Sequence, residues 1–213
     1  MGLLDFLNSG NNKYYSENEI SQIVECIERK FGEATKVFHE IVSDDIHLDI
    51  LLIPPNPITN FYKLFTVGMG AKIMNVPNKY EEYQLERAEL GLFLPPNFNI
   101  SSIPDNCFWP IWILKQMARM PFEQNTWIAH GHTVEIQIDT VNGNEFQGCT
   151  LLSLNGGIPE FHINSKFIHL YLIVPLYKDE INYLLNNNVD DLLDKFDENG
   201  ITPVVDINRK SVV

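Results

Sequence analysis

Basic residues are scarce in this chain of 213 residues: 15 Lys and Arg stand against 28 Asp and Glu, a formal net charge of −13. Nucleic acid is therefore excluded as a direct partner, because phosphate binding needs clustered cations. A basic protein partner remains compatible. Only three cysteines occur, Cys26, Cys107 and Cys149, far apart and in odd number. That suits free thiols in a reducing compartment, not a disulfide framework, and no C-x-x-C unit marks a zinc or redox site. Hydrophobic runs such as 50–55 and 108–114 fall far short of the roughly 20 residues that span a bilayer. The start, Met-Gly-Leu-Leu-Asp-Phe-Leu, lacks a basic leader and a cleavage site, and Phe6 breaks the myristoylation pattern, so a cytoplasmic protein with no membrane partner is expected.

Catalytic signatures are also missing. No G-x-S-x-G elbow occurs, and no cysteine has a local sequence that marks an oriented base. Gly68-Met69-Gly70 follows a strand pattern, but Ile73 stands where a dinucleotide fingerprint needs its third glycine. The glycines are read as a turn at a strand end.

What is present is a globular composition, 45% hydrophobic and 20% charged. Residues 1–15 read as a flexible lead-in and 16–213 as a single α+β domain. Ser16 with Glu19 forms a capping-box spacing, Ile20, Ile23, Val24, Ile27 and Phe31 recur at helical spacing, and Gly32 ends the run. Strands are expected at 37–42, 46–53, 61–67, 86–94, 133–138, 149–154 and 166–174. Along 46–53, Ile46, Leu48, Ile50 and Leu52 share one face, while His47, Asp49, Leu51 and Ile53 share the other. Helices are expected at 109–120, closed by Pro121 with Trp112 in the core, and at 179–185 and 189–197. Residues 178–199 carry seven acids against two lysines, a candidate acidic face. Asn142-Gly143 and Gly156-Gly157 read as turns.

Two further features concern chemistry. His130-Gly131-His132 on an extended segment would project both imidazoles to one side, and His47 and Asp49 could complete a metal set. Hydrogen-bonded surface histidines explain the same pattern, and no metal is assigned. Cys107, after Pro104-Asp105-Asn106, could sit near a helix start. Aromatics crowd 108–127 (Phe108, Trp109, Trp112, Phe122, Trp127), and the loop 122–132 is the expected working surface.

Several ordered blocks then carry a resemblance: His47-Leu-Asp-Ile-Leu-Leu-Ile-Pro54-Pro55, Phe65-Thr-Val-Gly-Met-Gly70, Met74-Asn-Val-Pro77 and Arg87-Ala-Glu-Leu90 come first. Leu94-Pro-Pro96, Trp109-Pro-Ile, Leu114-Lys-Gln-Met-Ala-Arg119 and Asn125-Thr-Trp-Ile-Ala-His-Gly-His-Thr133 follow. From about Gly32 to Asp206 the chain resembles the suppressor-of-fused domain family in its short bacterial form. The resemblance implies a non-enzymatic α+β domain with a central mixed, mostly antiparallel sheet flanked by helices. Animal relatives add a second domain and hold a short peptide by strand addition. Bacterial members stand alone, and many lie beside polymorphic toxins as immunity-type proteins. Gly131 stands where the animal proteins place an acid, so the same peptide is not expected. The reading that follows is a protein that binds and neutralises a basic toxin, without a cofactor. Its alternatives are a generic strand-addition module and, remotely, a metal-dependent enzyme around His130 and His132. The expected contact residues are Glu123, Asn125, Trp127, His130 and His132, with Asp49 and Glu89 as lesser candidates.

Overall fold

A computed structural model describes residues 14–41, 45–100, 109–139 and 145–213. Most of the lead-in, Val42, Cys107, Phe108 and the Asn142-Gly143 pair lie outside the described residues. Helix α1 (Glu17–Phe31) begins where the sequence requires it. The Ser16 hydroxyl accepts from the Glu19 N–H at 3.3 Å, and the Glu19 carboxylate accepts from the Ser16 N–H at 2.9 Å. The strands are β1 (Lys36–Phe38), β2 (Asp49–Ile53), β3 (Tyr62–Val67), β4 (Ala88–Leu94), β5 (Thr133–Asp139), β6 (Glu145–Ser153), β7 (Phe161–Ile163) and β8 (Lys166–Leu176). Two short 3₁₀ turns, Met69–Ala71 and Asn78–Tyr83, lie between β3 and β4. Helices α2 (Trp109–Glu123), α3 (Lys178–Leu184) and α4 (Val189–Glu198) complete the fold.

The sheet runs β1-β2-β3-β4-β8-β6-β5, with β7 paired to the start of β8. Every pairing is antiparallel except β4 with β8. The mixed, mostly antiparallel sheet implied by the resemblance is therefore present. Period-two alternation divides the strands between two cores. Ile50, Leu52, Leu64, Leu90 and Leu92 pack with Trp109, Ile113, Leu114 and Met117 of α2. Leu51, Ile53, Phe65, Phe93 and Leu172 pack with Ile23 and Ile27 of α1, Ile181 of α3, and Leu192 and Phe196 of α4. The faces read from 46–53 are as expected, although Ile46 and Leu48 enter the core ahead of the strand itself.

Three expectations need correction. Helix α2 runs through Pro121 to Glu123, with the Gln124 N–H reaching the Met120 carbonyl at 3.0 Å. Trp112 is exposed, because it falls on the outward side of α2 with Gln116, whereas Trp109 is buried. Strand β7 was not foreseen: three residues closing a hairpin carry too little pattern to register.

The segment after α4 returns to the sheet. Phe93 and Val204 form a parallel bridge, and the Val205 N–H donates to the Phe93 carbonyl at 2.9 Å. Arg209 then pairs with the fully buried Glu180 (Nη2 to Oε2, 2.6 Å) and donates to the Pro175 carbonyl at 2.9 Å. Its guanidinium lies 4.7 to 5.5 Å from the ring centres of Phe146, Tyr177 and Phe196. Removing one member of a buried pair strands the other, at a cost of about 3 kcal/mol or more. Arg209→Ala is expected to lower the urea midpoint accordingly, and Arg209→Lys to recover only part, because an ammonium lacks the planar fork.

Candidate binding surface

Four of the seven expected contact residues lie on the connection from α2 to β5, and Glu123 is the last residue of α2. Asn125 takes φ +49°, a left-handed turn that asparagine tolerates. The Thr126 N–H donates to the Pro121 carbonyl at 2.8 Å, and Asn75 clasps the loop through its backbone N–H to Thr126 (3.1 Å) and its side-chain amide to Asn125 (3.2 Å). Ile128 and Ala129 plug into the core beside α2. Between these anchors Trp127 is half-buried, its ring 5.1 Å from Tyr80 and 4.4 Å, edge to face, from His132.

The His130-Gly131-His132 run is not extended. Gly131 takes φ +77°, and the His132 N–H closes a turn onto the Ala129 carbonyl at 3.1 Å. Two backbone bonds lace this turn to β6, Gly131 to Leu151 at 2.7 Å and Leu151 to His132 at 3.1 Å. The two imidazoles have different tasks: His130 Nδ1 accepts from the Ser153 N–H at 3.1 Å, while His132 packs edge to face with Trp127. Burial pushes the His132 pKa down, with a backbone hydrogen bond opposing, so the ring is neutral at pH 7. Among the described residues no three His, Cys, Asp or Glu side chains are grouped to hold a metal.

The turn also meets the C-terminal helices. A side chain at Gly131 would touch Val189, the first residue of α4. Beyond Val189, Asp190, Asp194 and Asp197 recur at one-turn spacing and are exposed, with Glu198 beside them. Lys178 of α3 reaches Glu135 of β5 at 2.7 Å. Not every acid of 178–199 belongs to this face: Glu180 is buried under Arg209 and Asp191 caps its own helix on Asn188. The first assignment was not legible locally, since Arg209 lies 29 residues from its partner, whereas Asp191 stands at capping-box spacing from Asn188.

Asp49 and Glu89 are elsewhere. Asp49, half-buried at the start of β2, holds His39 (3.1 Å), His47 (3.3 Å) and the Glu40 N–H (3.2 Å). Glu89 is fully buried in β4 and accepts from Thr66 Oγ1 (2.6 Å), Gly68 N–H (3.0 Å) and Gly70 N–H (3.1 Å). It offers no surface to a partner. The glycine pair that failed as a phosphate cradle cradles the chain's own carboxylate, the geometry of an anion nest. Gly68, at φ +135°, lies so close to the His47 carbonyl that a Cβ would overlap it. Arg87 secures the same turn through the Gly70 and Ala71 carbonyls at 2.7 and 2.6 Å. The Tyr15 hydroxyl is buried beside the carboxylate without an aligned hydrogen bond.

Comparison with known proteins agrees with this geometry. The family model described as suppressor of fused protein matches residues 44–210. An uncharacterized protein of Ureaplasma parvum is 28% identical over 207 residues, covering 95% of this chain and 99% of that protein. Among solved structures, a suppressor of fused homolog from Neisseria gonorrhoeae superposes with a TM-score of 0.68 at 17% identity, covering 93% of this chain and 98% of that one. A Sufu–Fu complex gives 0.63 at 13% identity, with coverages of 92% and 91%. Drosophila Suppressor of Fused also gives 0.63 at 13%, where the match takes in 96% of this chain but 54% of the fly protein.

Burial raises the Glu89 pKa to about 7, against the opposing effect of its three hydrogen bonds. A carboxyl whose folded pKa lies above its unfolded one stabilises the fold at low pH, and that stability is lost as pH rises from about 4.5 to about 7. The expected loss is on the order of 3 kcal/mol. Urea midpoints of the wild type and Glu89→Gln between those pH values should therefore diverge, the wild type losing ground as pH rises.

Proposed function

Because this chain belongs to the suppressor of fused family, we propose that it is a non-enzymatic protein-binding domain of the immunity type, one that binds and neutralises a cognate basic toxin in the cytoplasm. The observation that carries this reading is the close approach of Gly131 to Val189, near enough that a side chain at Gly131 would touch it. It brings the turn that follows exposed Asn125 and His130 close to the start of α4, whose exposed acids begin at Asp190, and on this reading the aromatic anchor and the negative charge serve one docking surface. Trp127, gripped between Tyr80 and His132, is the kind of rigid, half-buried aromatic that anchors interfaces. The aspartates of α4 would steer a basic partner and fix its register, an effect that reaches about 8 Å at physiological salt. A nuclease domain would suit, because its phosphate-binding cleft presents the complementary charge. The Sufu–Fu complex supports the reading at the level of the scaffold, since a relative of this fold is solved with a protein partner.

A second reading rests on β5. Among the described strands it pairs only with β6, leaving one edge open for strand addition, and Glu135, Gln137 and Asp139 are exposed along it. A register shift between Glu135 and Ile138 interrupts that edge, which is how sheets discourage added strands. The loop and α4 are therefore preferred.

Capture of the neighbouring gene's product by the purified protein, at low and high salt, tests the proposal. Binding should weaken steeply with salt, and Asp190→Lys/Asp194→Lys/Asp197→Lys should weaken it about tenfold or more while the fold is kept. Salt-independent capture, or none, contradicts the electrostatic account.

A further inference from the structure

A cavity of about 290 Å³ opens between the start of α1 and the ends of β2 and β3, lined by Tyr14, Tyr15, Ile20, His47, Asp49, Val67 and Gly68. Its volume is near the lower end of the roughly 300–1,000 Å³ of small-molecule pockets, enough for one long side chain. Asp49 carries the one formal charge among these residues. Its Oδ1 takes both His47 Nε2 and the Glu40 N–H, whereas among the described residues Oδ2 takes only His39 Nδ1, which leaves acceptor capacity. The carboxylate is thus fixed in place and still able to receive a donor. Behind the floor, the Gly68 N–H is turned inward to Glu89, so it is not available to an anion. The N-terminal pole of α1 is answered by Glu17, Glu19 and the capping box. Lys166, 5.2 Å over the Tyr15 ring, is neutralised by Glu19 at 2.6 Å, and Arg87 is held by the Gly70 and Ala71 carbonyls.

These features select a cation over an anion and a planar cation over a compact one. A guanidinium can donate to Asp49 while its face lies on a tyrosine ring, a combination that an ammonium serves less well. We propose that this cavity is a binding site for a guanidinium group, the tip of an arginine side chain presented by a protein partner. The cavity shares no residue with the His130 turn or α4, and it depends on the reading above only for the source of the arginine. Failure to capture a toxin therefore leaves it standing.

The test is a ¹H–¹⁵N NMR titration of the whole chain with Nα-acetyl-argininamide, against Nα-acetyl-citrullinamide as the uncharged isostere. The expected result is saturable shifts centred on residues 14–20, 47–49 and 67–68 with the arginine probe alone, with Kd in the millimolar range or tighter, as about 4 kcal/mol of binding corresponds to 1 mM. Asp49→Asn should weaken binding about tenfold, and Tyr14→Ala, at an exposed position, should weaken it a few-fold if the first variant does not fold. Equal response to the citrulline probe, shifts centred elsewhere, no saturation, or unchanged affinity in the folded variants would overturn the proposal.

Discussion

The fold depends on one pairing, that of β4 with β8. It joins two antiparallel units, β1 to β4 on one side and β5 to β8 on the other, and it is the sheet's one parallel ladder. A parallel pair needs a long crossover, and here the crossover includes α2, β5, β6 and β7. Both strands are consequently buried on both faces, and β4 shows no exposed residue. The candidate loop hangs from this crossover: α2 packs on one face, and its exit loop delivers Trp127 and His130 towards β5 at the edge of the sheet.

Two fully buried acids, Glu89 in β4 and Glu180 in α3, are treated differently. Glu180 is met by the planar fork of Arg209, whose guanidinium lies among three aromatic rings. Among the described residues Glu89 pairs with no cation, only with backbone N–H groups and the Thr66 hydroxyl, with the Tyr15 hydroxyl beside it, so desolvation wins and the carboxyl is pushed toward neutrality. The first arrangement locks the C-terminal segment to β8 and α3. The second fixes the Gly68–Gly70 turn that forms the floor of the α1 cavity.

Much of this was legible in the sequence, and the exceptions have physical causes. The capping box at Ser16, the alternation along 46–53 and the turn glycines specify local structure by themselves, and the helices and most strands follow. Trp112 was misplaced because a helix face is chosen by what packs on it, and Ile113 and Met117 outvote a single tryptophan. The histidine pair was read as extended because Gly131 permits either conformation; its left-handed turn is dictated by the ladder to β6. Close approaches that span the chain, such as Gly131 with Val189, His39 with Asp49, or Tyr80 with Trp127, leave no local trace. They could be found only once the topology had brought them together.

An acid-rich chain can owe its charge to solubility alone, and the five exposed acids Asp179, Asp190, Asp194, Asp197 and Glu198 would serve that end as well. What favours the proposed docking role over solvation is the neighbour: an anchored aromatic loop whose last turn lies close to the start of the acidic helix. Amide hydrogen exchange of the chain, alone and with its captured partner, tests that claim most directly. The account predicts slowed exchange confined to the Gln124–His132 loop and α4. Protection along the outer edge of β5 or around β1, with the loop and α4 unchanged, would contradict it.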